Sequence, residues 1–180
     1  MEQELINDLK NWIKTFLAKP QAELSNLPVC PYAKPTVDNN TIRFKFVYDD
    51  LEEHLLDLGR NWTDEDSEGK VEIIAILTPT ENYSEEEVAD ITEAVNDELM
   101  PLDVVILDDH PEREERIGEL VFNFGKCILC LMARLSVLNH ASVQLAKNTD
   151  YYKKWPKDYL EWVTLWRFEN VPEDLKKLMP

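Results

Sequence analysis

Three short stretches carry residue types that could do chemistry. The first is Leu27-Pro28-Val29-Cys30-Pro31-Tyr32-Ala33-Lys34. Prolines at 28 and 31 restrict the backbone around Cys30 and could hold its thiol at a fixed point. A Cys-Pro step can offer a thiolate to haem iron. The plainer use is a buried cysteine that turns the loop into the core. The second stretch is Cys127-Ile128-Leu129-Cys130. A zinc ribbon would need a second such pair, and a redox site would need a helix N-terminus. Here the pair is set among apolar residues, which favours plain packing. Asn123, Cys127, Cys130 and Arg134 follow one another at steps of four, three and four. On a helix they would share one face and could border a pocket, with Arg134 as a positive anchor. If Cys30 reached that face, three thiols and His140 could form a metal site. The third stretch is Asp108-Asp109-His110, directly after an apolar segment that reads as a strand. Ligands gather beyond the carboxyl ends of strands in open α/β sheets. Carboxylates there could bind a metal, exchange protons or cap a helix.

Other chemistries find no foothold. No G-x-S-x-G, Walker or dinucleotide fingerprint occurs, and the chain has only four glycines. The histidines, His54, His110 and His140, have no metal-ligand spacing, and no cofactor is called for. Three cysteines are few and odd in number, which argues for a reducing, cytoplasmic setting. The acidic start, Met1-Glu2-Gln3-Glu4, lacks the marks of a secretory signal, and no apolar run suits a membrane span.

The formal net charge of -17 is unevenly spread. Residues 1–48 carry net +1, residues 49–119 net -21 and residues 120–180 net +3. Such a surface repels nucleic acid and anionic membranes and attracts a basic protein. Asp64, Glu65, Asp66, Glu85, Glu86 and Asp109 are the candidate partner surface. A solvated face that only keeps the protein soluble is the competing reading.

Periodicity places these residues on elements. Leu5 to Leu17 makes an amphipathic helix, closed by Pro20. Residues 25–40, with Pro28, Pro31 and Pro35, read as an extended loop. Residues 41–48 alternate as a strand, 51–62 fit a helix and 71–77 a strand buried on both faces. Ser84 with Glu87 signals a capping box for a helix ending at Pro101. Leu102–Leu107 is a third strand. Glu114–Lys147 reads as one long central helix, interrupted near Asn139. The aromatic tail from Tyr151 to Phe168 would cover the core or a homodimer surface, through a strand or helix at 159–168. A last helical turn falls at 172–178.

The expected fold is therefore α/β: one domain over 1–180 with a small mixed or parallel sheet of three to five strands covered by helices. Residues 1–40 give a helix and a Pro-rich loop, 41–147 a strand–helix core, and 148–180 an aromatic segment. Trp12-Ile13, Cys30-Pro31-Tyr32-Ala33 and Arg43 resemble an uncharacterised bacterial family. Its members open with a Trp-Val/Ile helix followed by a Leu-Cys-Pro-Phe/Tyr-Ala motif. The resemblance covers the first quarter of the chain. It implies that the Cys30 loop matters, without supplying an activity.

Two functions stand open. One is an acidic interaction protein, an inhibitor or accessory subunit, including one of viral or mobile-element origin. The other is a small enzyme or ligand binder. Its pocket would be formed by Cys30, Lys34, Asp108, Asn123, Cys127, Cys130 and Arg134.

Overall fold

The computed structural model describes residues 2–178; Met1, Met179 and Pro180 of the expected domain lie outside them. The chain opens with α1 (Glu2–Trp12), which continues through a wider turn over Ile13–Leu17. A hairpin, β1 (Pro20–Gln21) and β2 (Leu27–Pro28), leads to α2 (Ala33–Asp38). Then follow β3 (Ile42–Phe46), α3 (Leu51–Arg60), the hairpin β4 (Glu65–Asp66) and β5 (Gly69–Lys70), and β6 (Ile73–Thr78). Next come α4 (Glu85–Leu99) and β7 (Val104–Asp109). The hairpin β8 (Arg116–Ile117) and β9 (Leu120–Val121) precedes β10 (Ile128–Arg134). The chain closes with α5 (Leu135–Asn148), α6 (Lys157–Val163) and α7 (Glu173–Lys176).

The main sheet has the order β3-β6-β10-β7. β3 runs parallel to β6, and β10 runs antiparallel to both its neighbours. Strands β3, β6 and β7 thus share one direction and are linked by the crossover helices α3 and α4. β10 returns between them in the opposite sense. The chain is a single α/β domain with this mixed four-stranded sheet. Among the described residues no helix is long and apolar enough to cross a membrane.

Side chains alternate across the sheet and feed two cores. Ile74, Ile76, Val104, Ile106, Ile128 and Met132 pack against Leu51 and Leu55 of α3 and Val88, Val95 and Leu99 of α4. On the other face, Ala75, Leu77 and Leu129 meet Leu9, Ile13 and Leu17. Each fully buried aliphatic side chain contributes about 1.5–3 kcal/mol relative to exposure. A third cluster joins Leu24 to Ile117, Leu120, Tyr151, Tyr152, Leu160, Leu165 and Leu175. It attaches the C-terminal third to the N-terminal hairpin. The Ser84–Glu87 capping box forms in full, opening α4.

Two expectations fail. The long helix over Glu114–Lys147 does not exist; that stretch holds a hairpin, the central strand β10 and only then α5, which is unbroken at Asn139. An uninterrupted apolar run reads alike for a central strand and a buried helix. The overlooked signals were Gly118 and Gly125, both at positive φ. Within 25–40, α2 forms where an extended loop was expected, because Pro35 sits in the first helical turn, where its missing N–H costs nothing.

Candidate functional site

A strand at the edge of a sheet leaves backbone groups unpaired, and β7 is such a strand. Asn96 of α4 covers part of that edge. Its carboxamide accepts from the Ile106 N–H at 2.8 Å and donates to the Ile106 carbonyl at 3.0 Å. Beyond Asn96 the edge opens into a cleft of about 800 Å3 between α4, the end of β7 and the C-terminal segment.

Asp108 and Asp109 lie at the carboxyl end of β7, where sequence reasoning put them. Successive strand residues point to opposite faces. Asp108 accepts a bond from Thr92 Oγ1 of α4 at 3.2 Å and pairs with Arg113. Asp109 turns the other way and accepts from Asn123 Nδ2 at 2.7 Å and the Phe124 N–H at 2.8 Å. Burial pushes the Asp109 carboxyl above its usual range, against those two donors.

The loop after β7 is held from below. His110 is fully buried. Its Nδ1 accepts from the Glu112 N–H at 3.2 Å, so its Nε2 carries the hydrogen that reaches the Tyr83 carbonyl at 3.1 Å. Asn123 ties the loop together. It donates to the carbonyl of Arg113 at 2.6 Å and accepts from the Glu115 N–H at 2.7 Å.

Arg113 is the cation at the centre. It pairs with Asp108, approaches Glu115 at 3.6 Å, and lies over the Trp162 ring with its guanidinium carbon 5.3 Å from the ring centre. Its side chain is only 16% exposed. Its Nε is buried and, among the described residues, has no hydrogen-bond partner. Glu115 receives the Tyr159 hydroxyl at 3.2 Å. Burial, then repulsion from Asp109, pushes Glu115 up to about 7.

The cleft walls are aromatic, with Phe122, Trp155, Tyr159, Trp162 and Trp166. Its rim adds the exposed carboxylates Glu93, Asp97, Asp158 and Glu161. Among the described residues, seven carboxylates thus line the cleft, with Arg113 as the one cationic residue there. The acidic character continues outward over α3 and α4, which lie side by side. Glu52, Glu53, Asp57, Glu85, Glu86, Asp90, Glu93, Asp97 and Glu98 are exposed on them. Arg60, paired with Glu98, is the only lysine or arginine on either helix.

The other residues singled out in the sequence are dispersed. Asn123 does join Asp109 directly and, through Arg113, is linked to Asp108, by way of the loop rather than a helical stripe. Because a strand rather than a helix follows, Cys127, just before β10, and Cys130, within it, enter different cores on opposite faces of the sheet. Burial pushes the Cys127 thiol up to about 12 and raises that of Cys130 too. Neither lines the cleft. Arg134 lies four strand residues from Cys130, the partner of Asp108 in register. That is about 13 Å along the strand. There it donates to Asp64 at 2.8 Å and lies over the Trp62 ring. Cys30 is half-buried, and burial raises its thiol, which favours the protonated form over a thiolate ligand. Its neighbour Val29 reaches the cleft, while Cys30 is not among the lining residues. Lys34 is exposed and pairs with Asp38. His140 is exposed on α5. The helical pocket of thiols and Arg134 is therefore replaced by the cleft around β7. Among the described residues, no three His, Cys, Asp or Glu side chains gather to hold a metal.

The candidate partner residues also separate. Asp64 and Asp66 are engaged by Arg134 and Arg43, and Glu65 is exposed between them. Glu85 and Glu86 are exposed at the start of α4, at the far end of β6 from that hairpin. Asp109 is inside the cleft. Sequence reasoning missed Arg113, Glu115, Tyr159 and Trp162. Arg113 is hidden in an acidic run, and nothing local marks the tail aromatics as walls of a site.

Compared with known proteins, the chain matches no family model, no curated protein and no solved structure.

Proposed function

We propose that this chain is an interaction protein that seats a cationic segment of a protein partner in the cleft around β7. The carboxylates of α3 and α4 draw the partner in. The observation that carries this reading is the cleft's own lining, in which aromatic faces alternate with carboxylates around one guanidinium already held there. A cation over an indole ring is attracted by the ring's electron-rich face, by about 0.5–2 kcal/mol depending on desolvation. Partly buried carboxylates add charge-assisted hydrogen bonds. The long-range acidic field raises the rate of encounter with a basic surface. The same field disfavours nucleic acid and anionic membranes. An inhibitor or an accessory subunit would use such a surface. The three free thiols fit a reducing, cytoplasmic setting.

Calorimetric titration with a short arginine- and lysine-rich peptide tests the reading. Binding should weaken steeply between roughly 50 and 300 mM salt, as screening of exposed charge requires. It should fall about tenfold in Trp162→Ala. Heat absent at every salt concentration, or an affinity that salt leaves unchanged, would reject it.

A second reading, a small-molecule site in the same cleft, rests on Glu115. A carboxyl group that titrates near neutrality beside a second carboxylate is a candidate acid–base group. Preference of the cleft for neutral carbonyl compounds over cationic peptides would favour it.

A further inference from the structure

We propose that Arg113 is a built-in stand-in for the ligand, and that the partner's group entering the cleft is an arginine side chain that displaces it. This rests on the reading of the cleft as a cation seat and names the cation.

Three observations support the exchange. First, the contacts around Arg113 suit a guanidinium. Asp108 and Glu115 flank it and the Trp162 ring lies against it. A planar fork that stacks on an indole while bonding two carboxylates is arginine chemistry, whereas the ammonium of lysine is a compact point charge with no plane to stack. Second, the internal occupant fits incompletely. The Nε of Arg113 is buried without a partner among the described residues, and the side chain lines the open cleft. A guanidinium arriving from outside on a different stem is free to satisfy all its donors. Third, release of Arg113 needs no loop rearrangement. The backbone of the loop is pinned by Asn123 and His110, so only the side chain has to rotate. The exposed carboxylate of Glu85 lies close enough to act on the Arg113 charge, and offers it a place in water.

The test compares wild type with Arg113→Ala, and with Arg113→Met, which keeps the apolar stem should the alanine variant fold poorly. Each is titrated with an arginine-rich peptide and with its lysine counterpart. Thermal unfolding is followed with and without methylguanidinium. The exchange predicts that removing Arg113 tightens arginine-peptide binding at least tenfold and lysine-peptide binding much less. Methylguanidinium should raise the Tm of the variants and leave that of wild type unchanged. Wild type binding the basic peptides while both variants bind them equally or more weakly would overturn the exchange and leave the cation seat standing. No peptide binding by any of the three proteins would overturn both.

Discussion

At the residue scale the cleft is governed by two groups, Glu115 and Asn123. Glu115 has a folded-state pKa of about 7, above the ordinary 4.5. A carboxyl raised in this way binds its proton more tightly when folded. Its contribution to stability is full below about pH 4.5 and is lost as pH rises through 7, a change on the order of 3 kcal/mol. Glu115→Gln should therefore differ from wild type by a stability increment that grows between those pH values. Urea unfolding at a series of pH values reads it, and parallel curves for the two proteins would contradict the assignment. Binding should follow the opposite sign, because an ionised Glu115 holds a cation better. Peptide affinity should rise through neutrality in wild type and stay flat in the variant. Asn123 joins Asp109, Arg113 and Glu115 through one carboxamide. Asn123→Ala leaves several partly buried polar groups unpaired, at about 1–3 kcal/mol each where nothing replaces the bond. A Tm loss well beyond that of a surface substitution is expected, together with weaker peptide binding.

At the element scale, α4 does two jobs: it covers the sheet and it closes the edge of β7. Asn96→Leu should unpair the Ile106 amide and carbonyl and cost about 2–3 kcal/mol in urea unfolding. Light scattering should then show concentration-dependent association through the opened edge. α4 also lies very close to α3 at Gly59, where an added Cβ would come within 2.3 Å of Leu99 Cδ1. Leu99 is fully buried, so Gly59→Ala should cost about 1–3 kcal/mol from overpacking. These elements were legible in advance to different degrees. The strands at 42–46, 73–78 and 104–109 follow from alternation and apolar runs, and the start of α4 follows from Ser84 and Glu87. β10 was not legible, because a strand buried on both faces loses the alternation that marks strands. Reading β10 as a helix puts Cys127, Cys130 and Arg134 on one face; in the strand only Cys130 lies beside Asp108, as its register partner on β7. Asp108 and Asp109 were found because their place, the end of a strand, is a local property. Arg113, Glu115, Tyr159 and Trp162 were not, because their meeting depends on how the C-terminal segment returns to the sheet.

For the whole molecule, the excess of negative charge has a location. Its densest part covers α3 and α4 and runs into the cleft, while the hairpin carboxylates at 64 and 66 are neutralised by Arg134 and Arg43 and Asp49, Asp50, Glu65, Glu68, Glu81, Glu112 and Glu119 are exposed elsewhere. On the proposed function, a partner meets the protein on the side of α3, α4 and the cleft. The chain has five tryptophans, which makes the claim readable residue by residue. Trp155, Trp162 and Trp166 line the cleft. Trp12 packs with Phe16 and Phe124, and Trp62 lies under Arg134. The direct measurement is an amide and indole proton–nitrogen correlation spectrum recorded during titration with an arginine-rich peptide. The indole signals of Trp162, Trp155 and Trp166 should move in a saturable way while those of Trp12 and Trp62 stay in place. Saturable movement of the Trp62 or Trp12 signal with the cleft indoles still, or no movement of any indole, would contradict the account.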